Sequence, residues 1–276
     1  MAYCLICKKK INFSKKFEYY SKPVGETDFG IKKSIYYRFY KSCLNCKHWF
    51  SVISPKIRMK NLYSSRYNLL TYRGLIKKNF DKVNNIPSKN SDNFYRVKRI
   101  DGFLKKFKKE RYVNNLSLLD IGSGLGIFPY RMKKKNYDCT ALDPDKDSCT
   151  HIKRNLKIKT IHGDFLKVKI KKKFDLITLN KVIEHVKNPK ALIAKSIKNL
   201  KKDGVIYIEV PDEKAKIKGK NREEFFIDHL HVFSKKSLSL ITKKLNLKVE
   251  IIKSIQEPSS KFSIFGFFTI KDKTLN

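Results

Sequence analysis

A loop that is rich in glycine follows an apolar segment in the middle of the chain. The sequence LLDIGSGLGIF, residues 118–128, places Asp120 ahead of three glycines at alternate positions. Glycine permits unusual backbone angles and lets a ligand approach the backbone closely. The dinucleotide fingerprint needs a glycine at position 127, where this chain has Ile127. The loop therefore favours a different nucleotide-like ligand. Its candidate binding residues are Asp120, Gly122, Ser123, Gly124 and Gly126.

Carboxylates follow the next two apolar segments at the spacing that such a ligand needs. Asp143 ends the second predicted strand, where a carboxylate accepts hydrogen bonds from both hydroxyls of a ribose. Asp164 and Phe165 follow the third strand in the sequence HGDF. Asp164 could accept a hydrogen bond from an adenine amino group, and Phe165 could form an apolar wall beside the ring. Each residue alone has an ordinary structural explanation, such as a helix cap or the end of a strand. Their order along the chain favours one nucleoside-binding site.

Four of the six cysteines form two CxxC pairs near the start of the chain. Two such pairs supply the four thiolates of a tetrahedral zinc site, and the predicted ligands are Cys4, Cys7, Cys43 and Cys46. The 35 residues between the pairs exceed the usual spacing of about 15–20. Doubling a loop costs only ~0.6 kcal/mol, against ~10–16 kcal/mol for zinc binding. The alternatives are reduced cysteines or a disulfide.

Three further residues could be mistaken for metal ligands. His48 is a possible substitute ligand, but we expect a surface histidine. Cys139 and Cys149 lie in the predicted sheet domain and are predicted to be packing residues.

Hydrophobic periodicity predicts the elements that must position these residues. Apolar residues three and four apart predict a helix over 94–107, capped by Ser91 or Asp92. Another helix is predicted to begin at Ser234. The predicted strands are 117–121, 138–142, 158–161, 174–179, 204–210, about 247–253 and 262–270, with helices around 127–135, 145–156 and 188–200.

Alternation of strands and helices predicts the fold class. It is typical of an α/β, doubly wound, Rossmann-like sheet, here of seven strands with the last pair antiparallel. We divide the chain into a zinc-ribbon-like module at 1–55, a helical connector and lid at 56–110, and the sheet domain at 111–276.

The strong positive charge has a mainly compositional explanation. The formal net charge is +38, but only ten of the 63 basic residues are arginine, the side chain that nucleic-acid sites favour. The lysines are spread in short runs, which predicts a solvated surface. We therefore do not expect a nucleic-acid partner. The chain has no apolar run of 18 residues and no secretion signal at its start, so we expect no membrane span and a cytoplasmic location.

The ordered motifs resemble those of the class I S-adenosylmethionine-dependent methyltransferases over about residues 93–276. They comprise the glycine loop, Asp143, HGDF, NKVIEHV after the fourth strand and LKKDGVIYIEVP. The resemblance implies S-adenosylmethionine as the cofactor. It also implies that Asp120 orders the loop and that Asn180 meets the methionine end of the cofactor. The intact loop and carboxylates argue against a degenerate fold that serves only as a binding or scaffold module.

The CxxC pairs ahead of this domain narrow the resemblance to zinc-bearing C-methyltransferases that act on nucleotide-linked deoxyketosugars. In that group a histidine after the fourth strand and a downstream aromatic-x-Glu-His segment line the substrate site. The counterparts here are His185 and the sequence FIDHLHVFS, in which Phe226 replaces tyrosine and Asp228 replaces glutamate. A histidine suits removal of a proton beside a ketone at neutral pH. We predict His229 as this base, with Asp228 and His185 as orienting or electrophilic partners.

The predicted reaction is transfer of a methyl group to a carbon of a nucleotide-linked ketosugar. His229 and His231 alternate along the chain, so we expect them to face opposite ways and only one to reach the substrate. One alternative is an O-methyltransferase that acts on a glycan, a lipid or a quinone-type molecule. A less favoured alternative is an enzyme that methylates RNA or protein.

Overall fold

The computed structural model describes residues 3–9, 13–57, 75–108 and 115–271. Part of the predicted connector, at 58–74 and 109–110, lies outside these residues. The described part contains no helix that is both long enough and apolar enough to cross a membrane.

Seven strands of the described residues form the larger sheet. They are β4 (Ser117–Ile121), β5 (Asp138–Asp143), β6 (Lys159–His162), β7 (Phe174–Asn180), β8 (Leu200–Pro211), β10 (Leu247–Gln256) and β11 (Phe262–Ile270). Their order in the sheet is β6-β5-β4-β7-β8-β11-β10. Neighbours from β6 to β8 are parallel, whereas β11 runs antiparallel to both β8 and β10. This arrangement confirms the predicted Rossmann-like sheet with an antiparallel last pair.

Six α-helices in the described part of the chain cover the two faces of this sheet. They are α1 (Ile76–Asn84), α2 (Asp92–Lys108), α3 (Ile127–Lys133), α4 (Lys146–Asn155), α5 (Pro189–Lys198) and α6 (Lys235–Lys243). Apolar residues of α1 to α4, such as Phe80 and Ile100, join one buried cluster. Those of α5 and α6, such as Ile193 and Leu238, join the cluster on the other face. Every residue of β4 and all but the last of β7 are buried, as expected for central parallel strands that are covered on both faces.

The boundary between α5 and β8 differs from the predicted one. The helix starts at Pro189, and Asn188 accepts a hydrogen bond from the amide of Ala191, as an N-cap does. It ends at Lys198, and β8 begins at Leu200, four residues before the predicted start. Leu200 pairs with Phe174 of β7, so sheet pairing extends the strand into a polar stretch that sequence periodicity did not assign to it.

A smaller sheet joins the N-terminal region to a short segment that follows β8. It has the order β1-β2-β3-β9, with β1 (Phe13–Tyr19), β2 (Arg38–Cys43) and β3 (Trp49–Ile53) from the N-terminal region. The strand β9 (His231–Val232) comes from the segment that follows β8 and pairs with β3. The cysteine pairs lie beside this sheet and pack into the same apolar cluster as α6.

Candidate active site

The glycine loop bends between β4 and α3 in a conformation that requires glycine. Gly122, Gly124 and Gly126 all have positive φ, at 72°, 50° and 78°. A Cβ at Gly122 would lie 2.7 Å from Val182, and one at Gly126 would lie 2.7 Å from Ile152. A Cβ at Gly124 would meet no protein atom within 4 Å. The loop therefore packs on the protein at two glycines and faces open space at the middle one.

Two buried carboxylates fix this loop to the neighbouring strands. Asp143 accepts hydrogen bonds of 2.8 Å from the amides of Gly124 and Asp145. Asp120 accepts from the Thr178 hydroxyl at 2.6 Å and from the Asn180 amide at 3.0 Å. Burial raises the pKa of both carboxyl groups to about 6. Both acids therefore order backbone and side chains at the carboxyl edge of the sheet, where ligands of such folds bind.

Three other predicted binding residues line the same edge. The Oδ1 atom of Asn180 is buried and has no hydrogen-bond partner among the described residues. Asp164 is exposed, with one oxygen bonded to the amide of Leu166 at 2.9 Å, and Phe165 is buried. The unpartnered Asn180 oxygen would accept a hydrogen bond from an amino group, which the methionine end of S-adenosylmethionine carries. The residues present therefore fit this cofactor.

Two histidines and a glutamate converge beyond the end of β7. Atoms of Glu184, His185 and His229 that could ligate a metal lie within 4.8 Å of one another. Glu184 is fully buried, and neither of its carboxylate oxygens has a hydrogen-bond partner among the described residues. The Nδ1 atoms of His185 and His229 face backbone carbonyls, of Asp228 at 2.9 Å and of Glu224 at 3.1 Å. We call these three residues the Glu-His-His cluster.

The predicted base has an altered acidity in this cluster. Desolvation lowers the pKa of His229 to about 4. This pKa is lower than the near-neutral pKa that the sequence predicts for a base. The imidazole is neutral at pH 7 and accepts protons weakly. Glu184 was not among the predicted site residues, although it precedes His185 in the sequence VIEHV.

The smaller sheet holds the segment that carries His229. The Tyr40 hydroxyl donates to the carbonyls of Phe226, at 2.8 Å, and His229. Glu26 and Arg38 form a buried ion pair of 2.8 Å, and Glu26 also accepts from the amide of Ile227 at 2.6 Å. These contacts fix the backbone on both sides of the Glu-His-His cluster.

The opposite orientation of the two neighbouring histidines is confirmed. His231 faces away from the Glu-His-His cluster. Its Nδ1 atom lies 3.0 Å from Nε2 of His48. His48 is fully buried, so the expectation of a surface histidine is wrong. Its ring packs against Phe50 and Phe233, which are apolar residues from two distant parts of the chain. Packing between these parts was not visible in the local sequence.

The four cysteines of the CxxC pairs converge. The sulfur of Cys4 lies 3.6 Å from that of Cys46, and the sulfur of Cys7 lies 3.7 Å from that of Cys43. Zinc–sulfur bonds of about 2.3 Å in a tetrahedron place sulfurs roughly 3.8 Å apart. None of the six cysteines forms a disulfide. The donor set and spacing fit zinc, while Cys139 and Cys149 are buried in the sheet domain.

Comparison with known families agrees with this geometry. A profile described as a methyltransferase domain matches residues 77–251, which is more than half of the chain. The chain belongs to this family. Its sheet domain is a class I methyltransferase domain, as the motifs predict. A similar fold occurs in the plantazolicin methyltransferase BpumL, at a TM-score of 0.54 and 15% identity, over 71% of this chain and 90% of BpumL.

Curated relatives cover a shorter part of the chain. The ubiquinone biosynthesis O-methyltransferase of Pelagibacter ubique is 33% identical over 116 residues, which are 39% of this chain and 48% of that protein. The corresponding enzyme of Glaesserella parasuis is 31% identical over 110 residues, 36% of this chain and 47% of that protein. The chain thus spans about half the length of these relatives.

Proposed function

We propose that this chain transfers a methyl group from S-adenosylmethionine to a hydroxyl oxygen of a small molecule. The observation that carries the proposal is the buried, unpartnered Oδ1 of Asn180 at the same sheet edge as the glycine loop. The bound cofactor supplies a methyl group that is already activated as a sulfonium. The similarity to ubiquinone biosynthesis O-methyltransferases supports oxygen as the acceptor atom.

In this proposal the cofactor binds along the carboxyl edge of the larger sheet. Open space beside Gly124 lets the ligand approach the loop backbone. Asp143 still has lone pairs for ribose hydroxyls because each of its oxygens accepts one amide. Asp164 and Phe165 would contact the adenine, and Asn180 would accept a hydrogen bond from the amino group. Asp120 would act indirectly by holding the amide of Asn180.

The acceptor would bind beside the Glu-His-His cluster. Methyl transfer to a hydroxyl oxygen requires that oxygen to lose its proton, and the cluster contains potential proton acceptors in the two unpartnered carboxylate oxygens of Glu184. His229 as the base, with His185 and Asp228 as its partners, stays a prediction. Positioning alone contributes up to ~7–11 kcal/mol in oriented reactions. The backbone contacts of Tyr40 and Glu26 provide such positioning.

A second candidate is transfer to a carbon of a nucleotide-linked ketosugar. It is supported by the converging cysteines and by the segment from Phe226 to His229 that lies against the smaller sheet. We propose that zinc binds Cys4, Cys7, Cys43 and Cys46. Four protein ligands leave no open position, so this zinc would have a structural role.

Isotope exchange and product analysis separate the two candidates. The protein would be incubated in deuterated water with S-adenosylmethionine and pools of phenolic, quinone-type and nucleotide-sugar acceptors, and methylated products identified by mass spectrometry. C-methylation replaces a carbon-bound proton with the methyl group, and reversible removal of that proton would place deuterium at the same carbon of the unreacted acceptor, whereas O-methylation leaves that carbon unlabelled. We expect an O-methylated product and an unlabelled acceptor. A carbon-methylated product with deuterium in the remaining acceptor would replace the first proposal with the second, and absence of any methylated product would contradict both.

A further inference from the structure

We propose that the Glu-His-His cluster is a divalent-metal site, separate from the cysteine cluster. Its ligands would be a carboxylate oxygen of Glu184 and the Nε2 atoms of His185 and His229. Two histidines and one carboxylate form a common ligand set for divalent transition metals, and this set leaves coordination positions open. The cluster lies just after β7, beside the proposed cofactor site.

The state of Glu184 is the first argument. A buried carboxylate without a partner is costly, so such groups are normally paired, hydrogen-bonded or bound to a metal. Glu184 is fully buried, and both of its oxygens lack a hydrogen-bond partner among the described residues. A bound cation would supply these oxygens with the partner that they lack among the described residues.

The orientation of the two histidines is the second argument. In metal sites, one ring nitrogen of histidine binds the ion while the other donates to a carbonyl or carboxylate. His185 has its Nδ1 atom 2.9 Å from the carbonyl of Asp228, and His229 has its Nδ1 atom 3.1 Å from the carbonyl of Glu224. With hydrogen on these nitrogens, each Nε2 carries a lone pair. The Nε2 atom of His185 lies 4.0 Å from Oε1 of Glu184.

The backbone around the cluster is already held in place. The amides of Leu230 and His231 both donate to the carbonyl of Glu184, at 2.8 Å and 3.1 Å. The two segments that carry the three ligands are therefore joined directly. Ligands about 2.0–2.2 Å from an ion lie roughly 3–3.5 Å apart. The three ligand atoms now lie within 4.8 Å of one another, so side-chain movements of about 1 Å would bring them to this distance.

The ligand set also indicates an acceptor class, and this step rests on the proposed function. An ion with open positions binds an acceptor hydroxyl oxygen directly and lowers the pKa of that hydroxyl. Acceptors with two neighbouring oxygen atoms fit best because both can occupy open positions.

Binding of Mn²⁺ to the full chain tests the site without an activity assay. The protein would first be loaded with one equivalent of zinc per chain, which the four thiolates take up, and then titrated with Mn²⁺ while the signal of the free ion is followed by electron paramagnetic resonance. Manganese is chosen because it prefers oxygen ligands to thiolates. We expect one Mn²⁺ per chain. Glu184→Gln should weaken binding at least ~10-fold, as should His229→Gln.

Glu250→Gln is the matched control, since Glu250 lies on β10 and bonds to the Thr269 hydroxyl. It should bind Mn²⁺ like the unaltered chain. Binding that is absent, or equal in all variants, would overturn the metal site. Binding of S-adenosylhomocysteine is measured in the same samples by calorimetry. In the unaltered chain, absence of Mn²⁺ binding with normal S-adenosylhomocysteine binding contradicts only the metal site, and Mn²⁺ binding without S-adenosylhomocysteine binding contradicts only the proposed function.

Discussion

The amide of Gly124 donates a 2.8 Å hydrogen bond to Oδ2 of Asp143, which joins the glycine loop to the end of β5. The other oxygen of Asp143 accepts from the amide of Asp145 at the start of α4. One carboxylate thus fixes two backbone segments at the sheet edge where the cofactor is proposed to bind. Its loss should affect the cofactor site both by direct contact and through the loop.

Asp143→Ala should therefore weaken binding of S-adenosylhomocysteine. Charge-assisted hydrogen bonds contribute ~1.5–3 kcal/mol, which corresponds to a reduction in affinity of ~10- to 150-fold. Calorimetry measures the change. Asp147→Ala is the control because Asp147 is exposed on α4 and should leave the affinity unaltered. Equal affinities in the two variants would remove Asp143 from the cofactor site.

The same affinity should depend on pH. Burial raises the pKa of Asp143 to about 6, and burial does the same for Asp120. The ionised forms that accept these hydrogen bonds predominate above this value, so affinity should be constant above pH 7 and fall as the pH drops through 6. Asp143→Asn should remove the part of this pH dependence that comes from Asp143. Affinity that is the same at pH 5 and pH 8 in the unaltered protein would contradict the prediction.

Local sequence predicted the parts of the site that follow directly from single strands. Each strand end brings one residue to the same edge, so their order along the chain predicted a common location for Asp120 and Asp143, and the family resemblance added Asn180. The pairing of β9 with β3, the burial of His48 and the approach of Glu184 to His229 depend on contacts between distant segments. Such contacts have no local periodicity. Glu184 directly precedes His185 in the sequence VIEHV, but only the packing of the distant segment around His229 brings this acid into the cluster.

Removal of one cysteine should release zinc from the four-cysteine cluster. The purified chain should contain about one zinc per molecule, and Cys43→Ser should contain none, because a tetrahedral site loses one of its four ligands. Metal analysis measures the stoichiometry, and thermal unfolding should show lower stability because zinc binding contributes to folding. Cys139→Ala is the control in the sheet domain. Protein purified in reduced form without chelators and lacking zinc would contradict the prediction.

A buried ion pair behind the site should be essential for stability. Arg96 donates to Glu209 at 2.9 Å, and Arg99 lies 3.0 Å from the same carboxylate. Burial disfavours the charge on Glu209, but the two arginines outweigh it and lower the pKa of the carboxyl group. The folded pKa lies below the unfolded value of about 4.3, so the stabilisation is present above that pH and is lost only in stronger acid.

Glu209→Gln should lower the free energy of unfolding at pH 7 by ~3–5 kcal/mol, because Arg96 would remain charged, buried and without its partner. Urea unfolding at pH 7 measures this loss. Glu250→Gln, on the half-exposed β10, is the comparison and should change stability little. A loss of less than about 1 kcal/mol for Glu209→Gln would mean that the ion pair contributes little net stability.

His229 should be required for turnover and dispensable for cofactor binding. It lies where the acceptor is proposed to bind, with its ring 4.8 Å from that of His185 and its carbonyl bonded to Tyr40. Whether its imidazole accepts the proton or helps to bind an ion, His229→Ala should reduce kcat by ~10²–10⁴-fold. The affinity for S-adenosylhomocysteine should change less than about threefold, because none of the proposed cofactor contacts involves this side chain. His151→Ala, on α4 against Phe80, is the control histidine and should keep its kcat. A His229→Ala variant with normal kcat would show that the acceptor loses its proton elsewhere.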